Sequence, residues 1–217
     1  MELVWHLVLI VLLSFSCWGL DWKSDRNFIS AAGPLTTDLL HNLRGPLGNQ
    51  DSPFVTGDKE IYVCRQPLPS FLPEYFSSVR AVTITHYKVF LPWAQLLPEG
   101  SSENPDKETV QCYRQLLEAL KTAQLQPLVV LHHQTLPAST VQRTEAFADL
   151  FADYASFIFH AFGDLVEIWF TFSDLEEVIM ELPHQESRSS RLQILTDAHR
   201  KAYEIYHEKY ASQGEYT

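Results

Sequence analysis

The stretch Pro127-Leu128-Val129-Val130-Leu131-His132-His133 decides the fold of this 217-residue chain. Its first five residues are all apolar, and the run is too short for a typical helix. A continuous apolar run of this length is typical of a strand that is buried on both faces of a parallel sheet, whereas a strand with one solvated face alternates. The run ends in His132 and His133. The sequence therefore predicts a parallel sheet at this point of the chain.

Strands and helices alternate on both sides of this stretch. β-branched and aromatic residues indicate two more strands, and apolar residues at helical spacing indicate three amphipathic helices. The predicted strands cover residues 82–91 and 166–172, and the predicted helices begin near residues 104, 147 and 191. Short connections join three βα repeats, which predicts an α/β fold with right-handed crossovers and with its loops gathered at one end of the sheet.

Three successive strand ends carry motifs of one enzyme family. Residues 87–100, YKVFLPWAQLLPEG, resemble Y-R-F-S-x-x-W-x-R-x-L-P-x-G at a second strand. Residues 131–137, LHHQTLP, are similar to L-Y-H-W-D-L-P at a third strand, and residues 169–175, WFTFSDL, to W-x-T-x-N-E-P at a fourth. The family with these motifs is family 1 of the glycoside hydrolases, and the resemblance extends over residues 82–210.

This resemblance implies a partial (β/α)8 barrel with about three βα units, strands two to four, behind an irregular N-terminal segment. We divide the chain into a signal peptide, residues 1–19, an irregular lead, residues 20–80, and an incomplete barrel, residues 81–217. In the lead, turn-forming residues predict loops with one or two short helices. The first-strand motif of the family is not found in it.

The resemblance also places the positions where the family binds sugar and transfers a proton. His133 keeps the family histidine that contacts the sugar, but Gln134 stands at the tryptophan position. Lys88 stands at an arginine position, and Ser173 replaces the asparagine that binds the sugar 2-hydroxyl. Asp174 occupies the acid/base glutamate position with a side chain one methylene shorter.

Retaining glycosidases need two carboxyl groups about 5 to 5.5 Å apart, one as acid/base and one as nucleophile. The family nucleophile lies in a seventh-strand motif that this sequence does not contain. Three hypotheses follow: a noncatalytic module that assists folding, a weak or parent-dependent β-glucosidase or β-galactosidase, and a carbohydrate-binding remnant. An alternative interpretation of Asp174 is a loop carboxylate beside other solvated acids.

Composition and targeting signals restrict the partners. The formal charge is −11 and no basic run is present, which argues against nucleic acid and anionic membranes as partners. The apolar run at residues 7–13 resembles a cleavable secretory signal, and no other segment is long enough to span a membrane. We therefore expect a luminal or extracellular chain, with Cys64 and Cys112 either paired or both free and buried.

No metal or cofactor is predicted. Adjacent strand residues point to opposite faces, so His132 and His133 cannot share a metal ion, and no third ligand at suitable spacing is visible. The expected partners are the remaining glycoside hydrolase repeats of a longer parent chain, with β-glucosides or β-galactosides as ligands.

Overall fold

A computed structural model describes residues 30–32, 64, 67–133, 136–141, 143–183 and 187–210. The predicted signal peptide, most of the predicted lead and Gln134 lie outside these described residues. Within the described ranges, no helix combines the length and the apolar composition needed to cross a membrane.

Four parallel strands form one sheet in the order β1-β2-β3-β4. Their bounds are β1 Ala31–Ala32, β2 His86–Phe90, β3 Gln126–His132 and β4 Ile168–Phe172. A crossover with at least one helix separates each of the last three strands from the strand before it. This arrangement confirms the predicted α/β fold and the predicted partial barrel, which is not closed by the described strands.

Seven helices accompany the strands in the described part of the chain. They are α1 Leu72–Ala81, α2 Trp93–Leu96, α3 Lys107–Thr122, α4 Ala138–Val141, α5 Phe147–Phe162, α6 Leu175–Glu181 and α7 Arg188–Lys209, with a 3-10 turn at Thr144–Ala146. The three long helices α3, α5 and α7 match the three predicted amphipathic segments. The short helix α6, which follows β4 directly, was not predicted.

Strand β1 corrects the predicted sheet, which began with the strand predicted at residues 82–91. Ala31 and Ala32 pair in parallel with His86 and Tyr87, so a strand lies within the segment predicted to be irregular. Two alanines between turn-forming residues carry no alternation and no β-branched side chain, and therefore leave no strand signal in the sequence. Only pairing with β2 identifies this strand.

The cap of helix α3 also differs from the sequence expectation, which placed it at Asn104. The helix begins at Lys107, and the Asp106 carboxylate accepts a hydrogen bond of 2.7 Å from the Thr109 backbone N–H. An aspartate at this position satisfies one of the amides that the first turn leaves without an intrahelical partner. The apolar stripe of the helix is buried, as its spacing predicts.

The two faces of the sheet have different environments. On the outer face, helices pack against the strands: Phe76 of α1 contacts Tyr87, and Phe159 of α5 contacts Trp169. The inner face carries two rows of side chains in register, which are Lys88, Leu128 and Ile168 in the first row and Phe90, Val130 and Phe170 in the second. In a closed barrel this inner face would line the interior.

A disulfide joins Cys64 to Cys112 of α3, with the two Cα atoms 5.7 Å apart. The sequence left open whether these cysteines pair, and the structure shows that they do. Both residues are buried in the core, so the bridge fixes a point of the N-terminal segment against the helix that packs between β2 and β3.

Candidate functional site

The predicted site residues come together at the carboxyl ends of β2, β3 and β4. His133 follows β3 directly, and Ser173 and Asp174 follow β4. Lys88 lies earlier, within β2, on the inner face. Parallel strands bring their carboxyl ends to one edge of the sheet, and the active sites of (β/α)8 barrels are built there.

His133 and Ser173 bind each other. The Nδ1 atom of His133 lies 2.5 Å from the Ser173 hydroxyl oxygen, although the two residues are 40 positions apart in the chain. The His133 ring also stacks on Phe90, with ring centroids 4.1 Å apart. The Lys88 ammonium nitrogen lies 4.9 Å from the centroid of the same Phe90 ring. Two of the positions that the resemblance assigns to sugar binding therefore bond to each other.

Asp174 caps helix α6. Its carboxylate accepts hydrogen bonds from the backbone amides of Glu176, at 3.0 Å, and Glu177, at 3.4 Å. The backbone of Asp174 is extended, as in most N-cap residues, and the side chain is exposed. A carboxylate held in this way is turned toward the first turn of α6.

Helix α6 is held over the strand ends by two acidic side chains. Glu181 lies 3.0 Å from Nε2 of the fully buried His132, and Glu177 lies 3.7 Å from Nδ1 of His133. Beneath them, Val178 and Ile179 are buried in the core. Glutamates four residues apart lie on one face of a helix, which allows both to reach the histidine pair.

Sequence reasoning missed these two glutamates, although a signal was present. Asp174 followed three residues later by Glu177 is the pattern of a capping box, which marks the start of a helix. A helix that begins at this position places Glu177 and Glu181 on one face. The sequence interpretation instead took Glu177 as part of a solvated loop.

Burial governs the charge of His133. It lowers the pKa of the imidazole below its ordinary value, because the protonated ring loses solvation. Glu177 opposes this shift, whereas His132 and Lys88 add to it. The neutral ring is therefore favoured near neutral pH, and it accepts or donates hydrogen bonds without carrying charge.

The arrangement differs from two familiar kinds of catalytic site. In a serine-histidine-acid triad the serine and the acid bond to different ring nitrogens, but Ser173 and Glu177 both approach Nδ1 of His133. The described residues also contain no group of three His, Cys, Asp or Glu side chains that could hold a metal ion. What remains is a cluster of polar side chains that contact one another, in which the buried Nδ1 atom of His132 has no hydrogen-bond partner among the described residues.

Comparison with known proteins identifies the family. The sequence model of glycosyl hydrolase family 1 matches residues 73–216. The chain is 78% identical to human lactase/phlorizin hydrolase over 214 residues and 64% identical to the protein of Rattus norvegicus over 217 residues. Each match covers 99% of the chain but 11% of the relative, so the chain spans about a tenth of the length of these proteins.

Solved structures agree on the fold. A β-glucosidase from Thermotoga maritima in complex with castanospermine superimposes with a TM-score of 0.63 at 18% identity. The superposition covers 88% of this chain and 48% of the β-glucosidase. The family motifs at three strand ends, the matched sequence model and the parallel sheet all lead to the same conclusion: this chain belongs to glycosyl hydrolase family 1.

Proposed function

We propose that this chain is a noncatalytic family 1 module of a lactase/phlorizin hydrolase type of protein, and that it assists the folding of the catalytic repeats by packing against them. The observation that carries this proposal is the use of the site residues. Asp174, at the acid/base position, caps α6, and His133 and Ser173, at sugar-binding positions, bind each other.

The chemistry of the family supports this assignment. A general acid must reach the leaving oxygen of the substrate, and a retaining mechanism needs a second carboxylate as nucleophile. Asp174 is shorter than glutamate and is engaged with two amides of α6. Sugar binding through the Nδ1 atom of His133 would also have to separate this residue from Ser173.

The proposal extends to location and partners. The N-terminal apolar run supports entry into the secretory pathway, and the parent protein is expected at the brush border of the apical plasma membrane. There the partners of this module are the remaining glycoside hydrolase repeats. β-Glucosides and β-galactosides are substrates of those repeats in this proposal.

A co-expression experiment tests the folding role. Human lactase/phlorizin hydrolase from which the matched segment has been deleted is produced with and without this chain, and the yield of protease-resistant protein is compared. We expect the chain to raise that yield. The variant Val130→Asp, which places a charge in the buried sheet, serves as the control and should give no increase. An equal yield with and without the wild-type chain would contradict the proposal.

A second assay tests the alternative of weak catalysis. The purified chain is incubated with nitrophenyl β-glucoside and β-galactoside, beside the variant Asp174→Ala. We expect both proteins to release nitrophenol at the background rate. Turnover by the wild-type chain that disappears in Asp174→Ala would establish a β-glycosidase and refute the noncatalytic assignment. Titration calorimetry with the same sugars tests whether a carbohydrate-binding remnant persists.

A further inference from the structure

Helix α6 is attached to two different elements of the fold. It follows β4 in the chain, but two of its side chains reach the end of the neighbouring strand β3. Glu181 lies 3.0 Å from Nε2 of His132, and Glu177 lies 3.7 Å from Nδ1 of His133. We call these two histidine–glutamate contacts the α6 clasp. The clasp joins the ends of β3 and β4 through side chains that can change their charge.

The contacts of α6 with helix α7 differ from the clasp in their response to pH. Arg191 donates a hydrogen bond of 2.9 Å to the backbone carbonyl of Ile179, and Arg188 forms an ion pair with Glu176. Arginine keeps its charge across the physiological range of pH, whereas histidine changes its charge within that range. Mild acid therefore acts on the β3 side of α6 and leaves the contacts with α7 in place.

The apolar attachment of α6 is small. The helix has 7 residues, of which Val178 and Ile179 are buried, whereas Leu175 is 49% exposed and Met180 is 61% exposed. Segments with few buried apolar contacts open locally at a lower free energy than the whole fold. The clasp therefore contributes a large share of the interactions that hold α6 on the strand ends.

The two ring nitrogens of His132 have unequal surroundings. The side chain is fully buried, and its ring lies against the rings of Trp93 and Phe172. Nε2 faces a carboxylate oxygen of Glu181, which can only accept, so we assign the hydrogen of the neutral ring to Nε2. Nδ1 is buried without a hydrogen-bond partner within the described ranges. A second proton would make Nδ1 a buried donor without an acceptor, which is costly although Glu181 would attract the charged ring.

His133 resists protonation for a second reason. Burial lowers the pKa of its imidazole, Glu177 and Glu181 oppose this shift, and His132 and Lys88 add to it. The two histidines are adjacent in the chain, so charges on both rings would repel each other. The closed clasp therefore favours a neutral ring at both positions.

We propose that the α6 clasp is an acid-sensitive catch, which is closed near neutral pH and releases α6 from the end of β3 when the histidines are protonated. In the open state both rings gain water, and His133 and Ser173 become accessible. For His133, closure is complete above the ordinary histidine pKa of about 6.5 and is lost as the pH falls through the lower pKa of the closed state. This inference rests on contacts within the chain and does not depend on the proposed folding role.

Hydrogen exchange of the full 217-residue chain at about pH 7.5 and about pH 5.5 tests the catch, because histidine titrates in this range. Rates are converted to protection factors, which removes the intrinsic effect of pH on exchange. We expect the protection of the α6 amides to fall by roughly fivefold or more, a coupling typical of linked equilibria, while that of α5 stays constant. Equal protection of α6 at both pH values would overturn the proposal, as would a parallel loss in α5, which indicates global unfolding.

Variants separate the catch from a merely structural contact. His132→Gln combined with His133→Gln supplies amides that donate hydrogen bonds and cannot be protonated, so the pH dependence of α6 protection should disappear. It should persist in the matched control His199→Gln, which changes an exposed histidine of α7.

Glu181→Gln gives an independent test if the double variant folds poorly. It keeps an acceptor for Nε2 of His132 but removes the charge that attracts the protonated ring, so α6 should open at a higher pH than in the wild-type chain. A pH dependence that is retained in the double glutamine variant, or an opening pH that Glu181→Gln leaves unchanged, would overturn the proposal.

Discussion

Strands β3 and β4 are neighbours and both are largely apolar, but they differ in burial. Six of the seven residues of β3 are buried, whereas none of the five residues of β4 is. Among the described residues, β3 pairs with a strand on each side, whereas β4 pairs with a strand on one side. Helices contact the outer face of β4 as well. The comparison shows that the sequence of a strand sets how much apolar surface the strand has available for burial. The position of the strand in the sheet decides how much of that surface is buried.

The largest expected effect comes from comparing one substitution on each strand, at Val130 of β3 and at Phe170 of β4, which are paired in register. Val130→Asp places a carboxylate in a fully buried position and is expected to cost about 4 kcal/mol or more of the free energy of unfolding. Phe170→Asp at the exposed neighbour should cost about 1 kcal/mol or less. Urea unfolding at low protein concentration measures both. Equal losses would show that β4 is as buried as β3.

The disulfide is expected to stabilise the part of the fold that contains β3, because Cys112 lies on α3, which packs near β2 and β3. Cys64→Ser with Cys112→Ser should lower the free energy of unfolding by about 2–4 kcal/mol, as expected for a loop of this size. The sequence separation of the two cysteines is 48 residues. Thermal unfolding with and without reductant measures the effect. A reductant that leaves the wild-type transition unchanged would contradict a stabilising bridge.

Removing either of the two aspartate helix caps is expected to have a smaller effect on stability. Asp106 caps the long helix α3, and Asp174 caps the short helix α6 beyond β4. Each change to alanine removes a capping bond worth about 1 kcal/mol. We expect Asp106→Ala to lower global stability and Asp174→Ala to increase hydrogen exchange mainly within α6, since short helices open locally. Exchange measured residue by residue distinguishes the outcomes, and global loss in Asp174→Ala would refute the local role.

The smallest expected effect concerns pH. Burial holds the pKa of His133 below its unfolded value of about 6.5, so folding favours the neutral ring. The resulting stability is present above the unfolded pKa and is lost as the pH falls through the lower folded pKa. His133→Gln should therefore reduce the acid sensitivity of unfolding between neutral and mildly acidic pH. A folded-state pKa above the unfolded value, measured by NMR titration, would reverse the sign.

Much of the fold could be predicted because its signals are local. The stripes of α3 and α5 and the apolar run of β3 follow from the repeat distances of helix and strand. Strand β1 could not be predicted, since two alanines carry no periodicity. Helix α6 was predictable in principle from the capping-box pattern at Asp174 and Glu177.

The sequence predicted that the candidate residues lie at neighbouring strand ends, but it did not predict their contacts. The family motifs brought His133, Ser173 and Asp174 to neighbouring strand ends, and the structure places them there. Their actual partners could not be inferred, because the bond between His133 and Ser173 joins residues 40 positions apart. Such a contact depends on the side-chain directions of two strands and on the packing of α6.

The sequence by itself determined the alternation of strands and helices, the family, and which positions depart from the family motifs. Tertiary structure alone decided that Cys64 and Cys112 pair, that Asp174 serves as a cap, and that Phe170 is exposed while Val130 is buried. The physical reason is the sequence separation of the interacting residues. Periodicity and helix capping depend on residues a few positions apart, whereas disulfide pairing and burial depend on which distant segments the sheet brings together.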